Sequence, residues 1–289
     1  MLAAGYDVLH LEQLWTGWLG LENVERALVN VHHLCWIDLE HVRPPTVRGR
    51  LDRWLMLRTE RRLVKGLKHF RSCSPRLVPE MLSVNPAAQV TTVPVGIDPA
   101  QYEFIPDQRR TAEPVLSVIG SMGWYPSHSA AVRLLTRLWP EIKRRVPAAR
   151  VQVVGWNARS ALADYLGMPD VSIEENVPDV RPYFERTGVM LYAPGRGSGM
   201  KIKILEALGF GVPVVTTSEG VEGLPAVDGE HAGVAEDDDG LIERAVRLLQ
   251  DAEAQNRQRA AGRALLEQHC GPKPTVDAVE AIYRGIIGR

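Results

Sequence analysis

Cysteine is scarce in this chain of 289 residues: Cys35, Cys73 and Cys270 are the only three, and none stands in a C-x-x-C spacing. An odd number at wide separation argues against a disulfide framework or a zinc site, so the thiols are expected to behave as small apolar side chains. Long apolar runs are missing too. No stretch approaches the eighteen or so residues that a membrane-spanning helix requires. The start, Met-Leu-Ala-Ala-Gly-Tyr-Asp, lacks the basic-then-apolar pattern of a secretory signal, which makes a cytoplasmic location the default expectation. There is no internal repeat or low-complexity tract, and a net charge of −1 leaves the chain neither basic nor acidic as a whole.

What is present is ordinary in bulk: 45% hydrophobic and 24% charged residues, enough for a soluble globular chain of two domains. The charge balance is nevertheless local. Arg43 to Arg76 carries eleven Lys and Arg against two acids, Asp52 and Glu60, leaving the remainder acidic. Such a stretch is either a solvated helix face or a surface for anionic partners.

Short β-rich runs alternate with helical patterns, which implies an α/β fold of parallel sheets covered by helices. Strands are expected at Tyr6–Leu11, Ala27–Val31, Lys68–Ser72 and Val90–Val95, then at Val115–Ile119, Val151–Val154, Gly188–Leu191 and Val212–Thr216. Helices are expected at Leu51–Leu67, Ala130–Leu138, Ala158–Leu166, Lys201–Leu208, Leu241–Gln250 and Pro274–Ile287. Gly96–Pro114, with Pro99, Pro106 and Pro114, suits a linker, so a boundary is expected near residue 107. The expected organisation is residues 1–106, 107–271 and a terminal helix in 272–289. The second part is long enough for five or six strands; the first holds about four and opens directly on a strand.

The most informative stretch is Ala193–Gly223, which reads strand, Gly-rich loop, helix, Gly stop, strand. Gly195, Gly197 and Gly199 let a ligand approach the backbone closely. A helix starting near Met200 would aim its free N–H groups at whatever the loop holds, an arrangement suited to a diphosphate. Arg196 and Lys201 or Lys203 can supply compensating charge. Glu206 lies about two turns along, some 9 Å at about 1.5 Å per residue, where a carboxylate can accept both ribose hydroxyls. Without further context, Lys203 and Glu206 would read as a surface pair.

The segment resembles the donor-site motif of glycosyltransferase family 4, G-x-G-x-K-x-K-x-L-E-A-x-x-x-G-x-P-V-V-x-T-x-x-G-x-E-G. It matches at Gly197, Gly199, Lys201, Lys203, Leu205, Glu206, Ala207, Gly211, Pro213, Val214, Val215, Thr217, Gly220, Glu222 and Gly223. Thr92–Asp98, Gly120–Pro126 and Glu174–Asp179 resemble further stretches of the family in the same order. The resemblance implies two Rossmann-like domains of GT-B type, the N-terminal one incomplete because the chain starts partway through it. It also implies that Glu206 holds the donor ribose, that backbone near Val177 meets the base, and that Gly197, Ser198, Gly199 and Met200 cradle sugar and diphosphate. Gly120 opens the loop after the first strand of the donor domain. The sequence departs from the family in two stretches: Ser198 stands where the first glutamate of an E-x7-E pair is common, and Ser121 and Met122 where Arg and Lys are common. The second departure throws the charge work onto Arg196, Lys201 and Lys203.

Leu28–Trp36 ends a strand with two histidines and resembles the family stretch in which a histidine faces the donor. His32 matches that position better than His33. The resemblance thus implies a retaining glycosyltransferase that moves a sugar from a nucleotide-diphosphate donor to an acceptor hydroxyl, with His32 positioning the sugar or its developing charge. No metal or other cofactor is expected, since nothing resembles an Asp-x-Asp metal site and a helix end with basic side chains can stabilise the leaving diphosphate. Expected partners are the nucleotide-sugar donor, a saccharide or lipid-linked acceptor, and an anionic membrane surface at Arg43–Arg76 on its inner face. Nucleic acid is not expected, because only Trp54 and Phe70 interleave that basic stretch. The alternatives are an inactive donor-binding fragment and a GT-B nucleotide-sugar epimerase; the latter would need acid/base carboxylates that Glu206 alone does not supply. The terminal helix is expected to return to the first domain, as in the family.

Overall fold

A computed structural model describes residues 5–110 and 113–288. Part of the leader reading at the start and part of the linker expected over Gly96–Pro114 therefore lie outside the described residues. The chain divides into two compact units, one of Met1–Gly96, Gly197–Met200 and Pro272–Arg289, the other of Ile97–Arg196 and Lys201–Gly271.

The first unit holds a parallel sheet of β1 (Leu9–Leu11), β2 (Ala27–Val31), β3 (His69–Ser72) and β4 (Gln89–Thr92), in that order. All five residues of β2 are buried, as its apolar run requires, whereas β4 is a largely exposed edge. Its helices are α1 (Cys35–Asp38), α2 (Val47–Gly66), α3 (Leu77–Val84) and the terminal helix Pro272–Ile287. Helix α2 begins earlier than its apolar spacing predicts because the Thr46 hydroxyl accepts the Gly49 N–H at 3.0 Å, closing the helix start behind Pro44 and Pro45. Its inner face buries Leu63 and Val64, followed by Leu67.

One acid lies on that inner face. Glu60 is 1% exposed and accepts the N–H groups of Cys35 at 2.8 Å and Trp36 at 3.1 Å, so it caps the first turn of α1. Burial pushes its carboxyl up to about 7, opposed by those N–H donors and reinforced by nearby Asp38.

The second unit is a six-stranded parallel sheet: β5 (Val115–Ile119), β6 (Arg150–Gly155), β7 (Val171–Glu175), β8 (Val189–Tyr192), β9 (Val214–Thr216) and β10 (Gly233–Val234), ordered β10-β9-β8-β5-β6-β7. Strand order reverses between β5 and β8, the switch point at which doubly wound sheets bind ligands beyond their carboxyl ends. The covering helices are α4 (Tyr125–Arg133), α5 (Trp139–Arg145), α6 (Ala158–Ala161), α7 (Arg181–Glu185), α8 (Ile202–Phe210), α9 (Asp238–Gln250) and α10 (Ala252–Cys270); the terminal helix is α11.

Several elements differ from the sequence expectations. The helix expected at Ala130–Leu138 is part of a longer run, α4 and α5 joined by one π turn at Leu134–Leu138. That expected over Ala158–Leu166 stops after α6, because only Ala158 and Leu162 are buried there, too little apolar face for a longer helix. The linker is not loose. Arg263 donates to the carbonyls of Tyr102 at 2.6 Å and Pro99 at 3.0 Å, Arg259 donates to that of Ile105, and Ile105 is 2% exposed. Residues 97–106 therefore pack with the second unit, and the division falls at Gly96–Ile97 instead of near 107.

Because Glu60 holds its proton to a higher pH when folded than the ordinary 4.5, its contribution to stability is full below about 4.5 and is lost as pH rises through about 7. Urea unfolding of the wild type should show this loss, on the order of 3 kcal/mol, between pH 5 and 8 relative to Glu60→Gln. Parallel pH profiles for the two proteins would contradict the assignment.

Candidate functional site

In each unit the chemistry-bearing residues gather just beyond the carboxyl ends of parallel strands. In the second unit the centre is Lys203, on the first turn of α8. Its ammonium donates to Ser127 Oγ at the start of α4, lies 3.4 Å from the Tyr192 hydroxyl at the end of β8, and sits 4.8 Å from the Tyr192 ring centroid. Its side chain packs on Gly120, where a Cβ would lie 3.1 Å from Lys203 Cε. Burial lowers the Lys203 pKa to about 8, Lys201 lowers it further, and Glu206 pulls the other way. Lys203 and Glu206 thus do not form the surface pair that helical spacing alone would suggest.

Glu206 is half-buried four residues into α8, about 6 Å from the helix start at roughly 1.5 Å per residue. The Tyr102 hydroxyl donates to its Oε1 at 3.5 Å. Burial raises the carboxyl above its usual range, against Lys203 and this hydroxyl. Helix α8 starts at Ile202, not near Met200: Lys201 is extended at φ −98° and ψ 97° and serves as N-cap without a side-chain bond. Lys201 itself is 7% exposed and its Nζ lies 3.8 Å from Glu222 Oε2, which is 8% exposed, so its charge is balanced locally.

Backbone shape completes this end of the sheet. Gly155 closes β6 at φ +152°, and a Cβ there would lie 1.9 Å from the Gly120 carbonyl oxygen. The Gly155 carbonyl in turn accepts the N–H of Asn176, whose φ of +56° turns the chain into half-buried Val177. Arg196 is half-buried in the stretch after β8.

In the first unit Glu12, His32 and Cys73 each stand one residue past the end of β1, β2 and β3. His32 Nε2 donates to the Glu12 carbonyl at 2.9 Å and lies 3.2 Å from Glu12 Oε1. Behind it runs a polar chain. Asn30 Nδ2 donates to Glu12 Oε2 at 2.8 Å, His10 Nε2 donates to Asn30 Oδ1 at 3.0 Å, and the Tyr283 hydroxyl of α11 donates to His10 Nδ1 at 2.5 Å.

The segment Gly197–Met200 packs in this same unit. Gly199, at φ +73°, sits so close that a Cβ would lie 1.7 Å from the His32 carbonyl oxygen. Cys73 Sγ donates to that oxygen at 3.0 Å and accepts the Met200 N–H at 3.4 Å, while Met200 Sδ accepts the Val95 N–H at 3.1 Å. Arg76 holds the Gly197 carbonyl at 3.1 Å. Ser198 is buried: its hydroxyl accepts the Leu34 N–H at 2.9 Å and donates to Asp38 at 2.7 Å.

The structure therefore groups His32 with Gly197, Ser198, Gly199 and Met200, and groups Gly120, Lys201, Lys203 and Glu206. Glu12, Asn30, His10, Tyr283, Ser127, Tyr192 and Tyr102 join these groups without any sequence motif that marks them. Only Glu12 and Asn30 carried a signal, as polar residues at or beyond the ends of apolar strands. Among the described residues, no group of three or more His, Cys, Asp or Glu could hold a metal ion.

The sheet order defines a doubly wound α/β unit with a topological switch point between β5 and β8. Residues 113–251 match the model of the family described as glycosyl transferases group 1. No protein of curated function matches the chain. The fold is that of GT-B glycosyltransferases. Sucrose-phosphate synthase of Thermosynechococcus elongatus is similar at a TM-score of 0.75 and 16% identity, over 98% of this chain and 74% of that one. HepE of Anabaena, solved with UDP and glucose, gives 0.74 and 13%, over 97% and 79%. A TarM variant of S. aureus, solved with fondaparinux, alpha-GlcNAc-glycerol and UDP, gives 0.69 and 10%; this chain matches over 90% of itself and spans 52% of TarM.

Gly199 and Gly229 share a left-handed backbone, at φ +73° and +79°, but nothing lies within 4 Å of a Cβ at Gly229. Gly229→Ala should cost about 1 kcal/mol from backbone strain alone, and Gly199→Ala about 2 kcal/mol more from the clash with His32. Equal urea midpoints for the two variants would show that the loop is not seated against His32.

Proposed function

We propose that the chain is a glycosyltransferase that moves a sugar from a nucleoside-diphosphate donor to an acceptor hydroxyl with retention of configuration. The observation that carries this reading is helix α8. Its start and the Lys203 ammonium lie at the switch point of a doubly wound sheet, and one turn further on stands a half-buried carboxylate. The amide-rich start of α8 and Lys203 hold the diphosphate, because peptide dipoles and a cation both stabilise negative charge there. Glu206 accepts the two ribose hydroxyls, and the turn at Val177 meets the base. The family match over residues 113–251 supports this division of labour.

Gly197–Met200 and Arg196 border the sugar and diphosphate. His32 positions the sugar: its Nε2 proton is committed to Glu12, which fixes the ring and leaves Nδ1 as an acceptor for a hydroxyl. Glu12 and Asn30 act as positioning residues for it. As the glycosidic bond to the diphosphate breaks, charge grows on the leaving oxygens, where α8 and Lys203 stabilise it without a metal. The acceptor is a saccharide or lipid-linked hydroxyl.

Saturation-transfer NMR against a panel of nucleotide sugars tests the donor site. Ribose protons should be saturated in the wild type, and Glu206→Ala should weaken binding about tenfold to a hundredfold, the scale of charged hydrogen bonds lost. If no nucleotide sugar receives saturation, the donor assignment fails. His32→Ala should lower kcat by at least about tenfold with donor KM little changed, and proton NMR of the product should show the donor's anomeric configuration. Full turnover by His32→Ala would remove its role.

A further inference from the structure

Helix α2 carries a surface that the sugar-transfer reading leaves unused. At about 100° per residue, Val47, Leu51, Trp54 and Leu55 share its outer face with Arg58 and Arg62. These four apolar side chains are 81%, 53%, 52% and 46% exposed, a concentration unusual for the outer face of a helix whose inner face already fills a core. The apolar residues occupy the first half of the stripe and the basic ones the second, where Arg61 and Lys65 are also exposed. The Arg58 guanidinium lies 5.2 Å from the Trp54 ring centroid, joining the two halves. Asp52 is the one exposed acid on the helix and stands to the side, 3.9 Å from Arg48.

We propose that this face of α2 docks on an anionic lipid bilayer, inclined in its interface so that Val47, Leu51, Trp54 and Leu55 of its first half enter the acyl region while the arginines of its second half stay among the headgroups. Two features select a bilayer. The aliphatic side chains gain nothing from a nucleic-acid phosphate, and a single tryptophan offers no stacking platform for bases. An interface that is apolar below and anionic above matches both halves of the stripe at once. Among the described residues no helix is long and apolar enough to cross a membrane, so the contact lies on the surface of the bilayer.

The test is co-sedimentation of the full chain with vesicles of phosphatidylcholine alone and with about a third phosphatidylglycerol, at low and high salt. Binding should require phosphatidylglycerol and weaken with salt. Arg58→Gln with Arg62→Gln should reduce it about fivefold per arginine. Leu51→Ser with Trp54→Ser should abolish it while leaving retention on heparin, a polyanion without an apolar layer, unchanged. Both double variants alter exposed side chains, and circular dichroism checks that they fold. Binding indifferent to phosphatidylglycerol, or apolar variants that sediment like the wild type, would overturn the proposal. So would tighter binding to poly-uridine RNA than to the anionic vesicles.

Discussion

A lysine ammonium held below the surface with no carboxylate at ion-pair distance among the described residues is the constraint around which the second unit is arranged. Lys203 is cradled by a serine hydroxyl, a tyrosine hydroxyl and a tyrosine ring, neutral groups that ease its desolvation without cancelling its charge. Other details of this end of the sheet follow. Gly120 lets Lys203 lie closely along it, and Gly155 must lack a side chain for Gly120 to pass. The neighbouring lysine, Lys201, lies beside buried Glu222, whereas the field of Lys203 is open to an anion.

The first unit solves a different problem, the orientation of an imidazole. His32 is set by Glu12, Glu12 by Asn30, Asn30 by His10, and His10 by a tyrosine on the terminal helix. The links of that chain support one another, so the imidazole is held from Glu12 back to the terminal helix. The segment Gly197–Met200 then closes over the His32 carbonyl so tightly that only glycine fits at 199. Buried Glu60 and Asp38 hold the short helix α1 beside it, one from its capped start and the other through Ser198.

Much of this was legible in the sequence, for identifiable reasons. The buried parallel strands Val115–Ile119 and Ala27–Val31 are apolar runs broken only by Ser117 and Asn30, and their ends fall as expected, whereas β1 starts three residues late and the exposed edge strand β4 ends three residues early. Strand β7 was not read because Val-Ser-Ile-Glu-Glu alternates and lies at the sheet edge, and α10 because its apolar face is thin for its length. The motif identified α8, Lys203 and Glu206, yet spacing alone suggested that the two side chains face each other. Ser127 and Tyr192, which draw Lys203 away, are 76 and 11 residues distant in sequence. Long-range partners of this kind leave no local pattern. The same holds for Tyr283, which meets His10 from the far end of the chain.

We propose that the Lys203 charge serves a diphosphate. With its pKa lowered to about 8, an anion bound beside it must raise that value and draw a proton from solvent. Calorimetry of nucleoside-diphosphate binding at about pH 8.5, repeated in buffers of different ionisation enthalpy, counts that proton directly. Uptake of a fraction of a proton by the wild type, absent in Lys203→Met, is the predicted result; binding with no proton uptake in either protein would contradict the account.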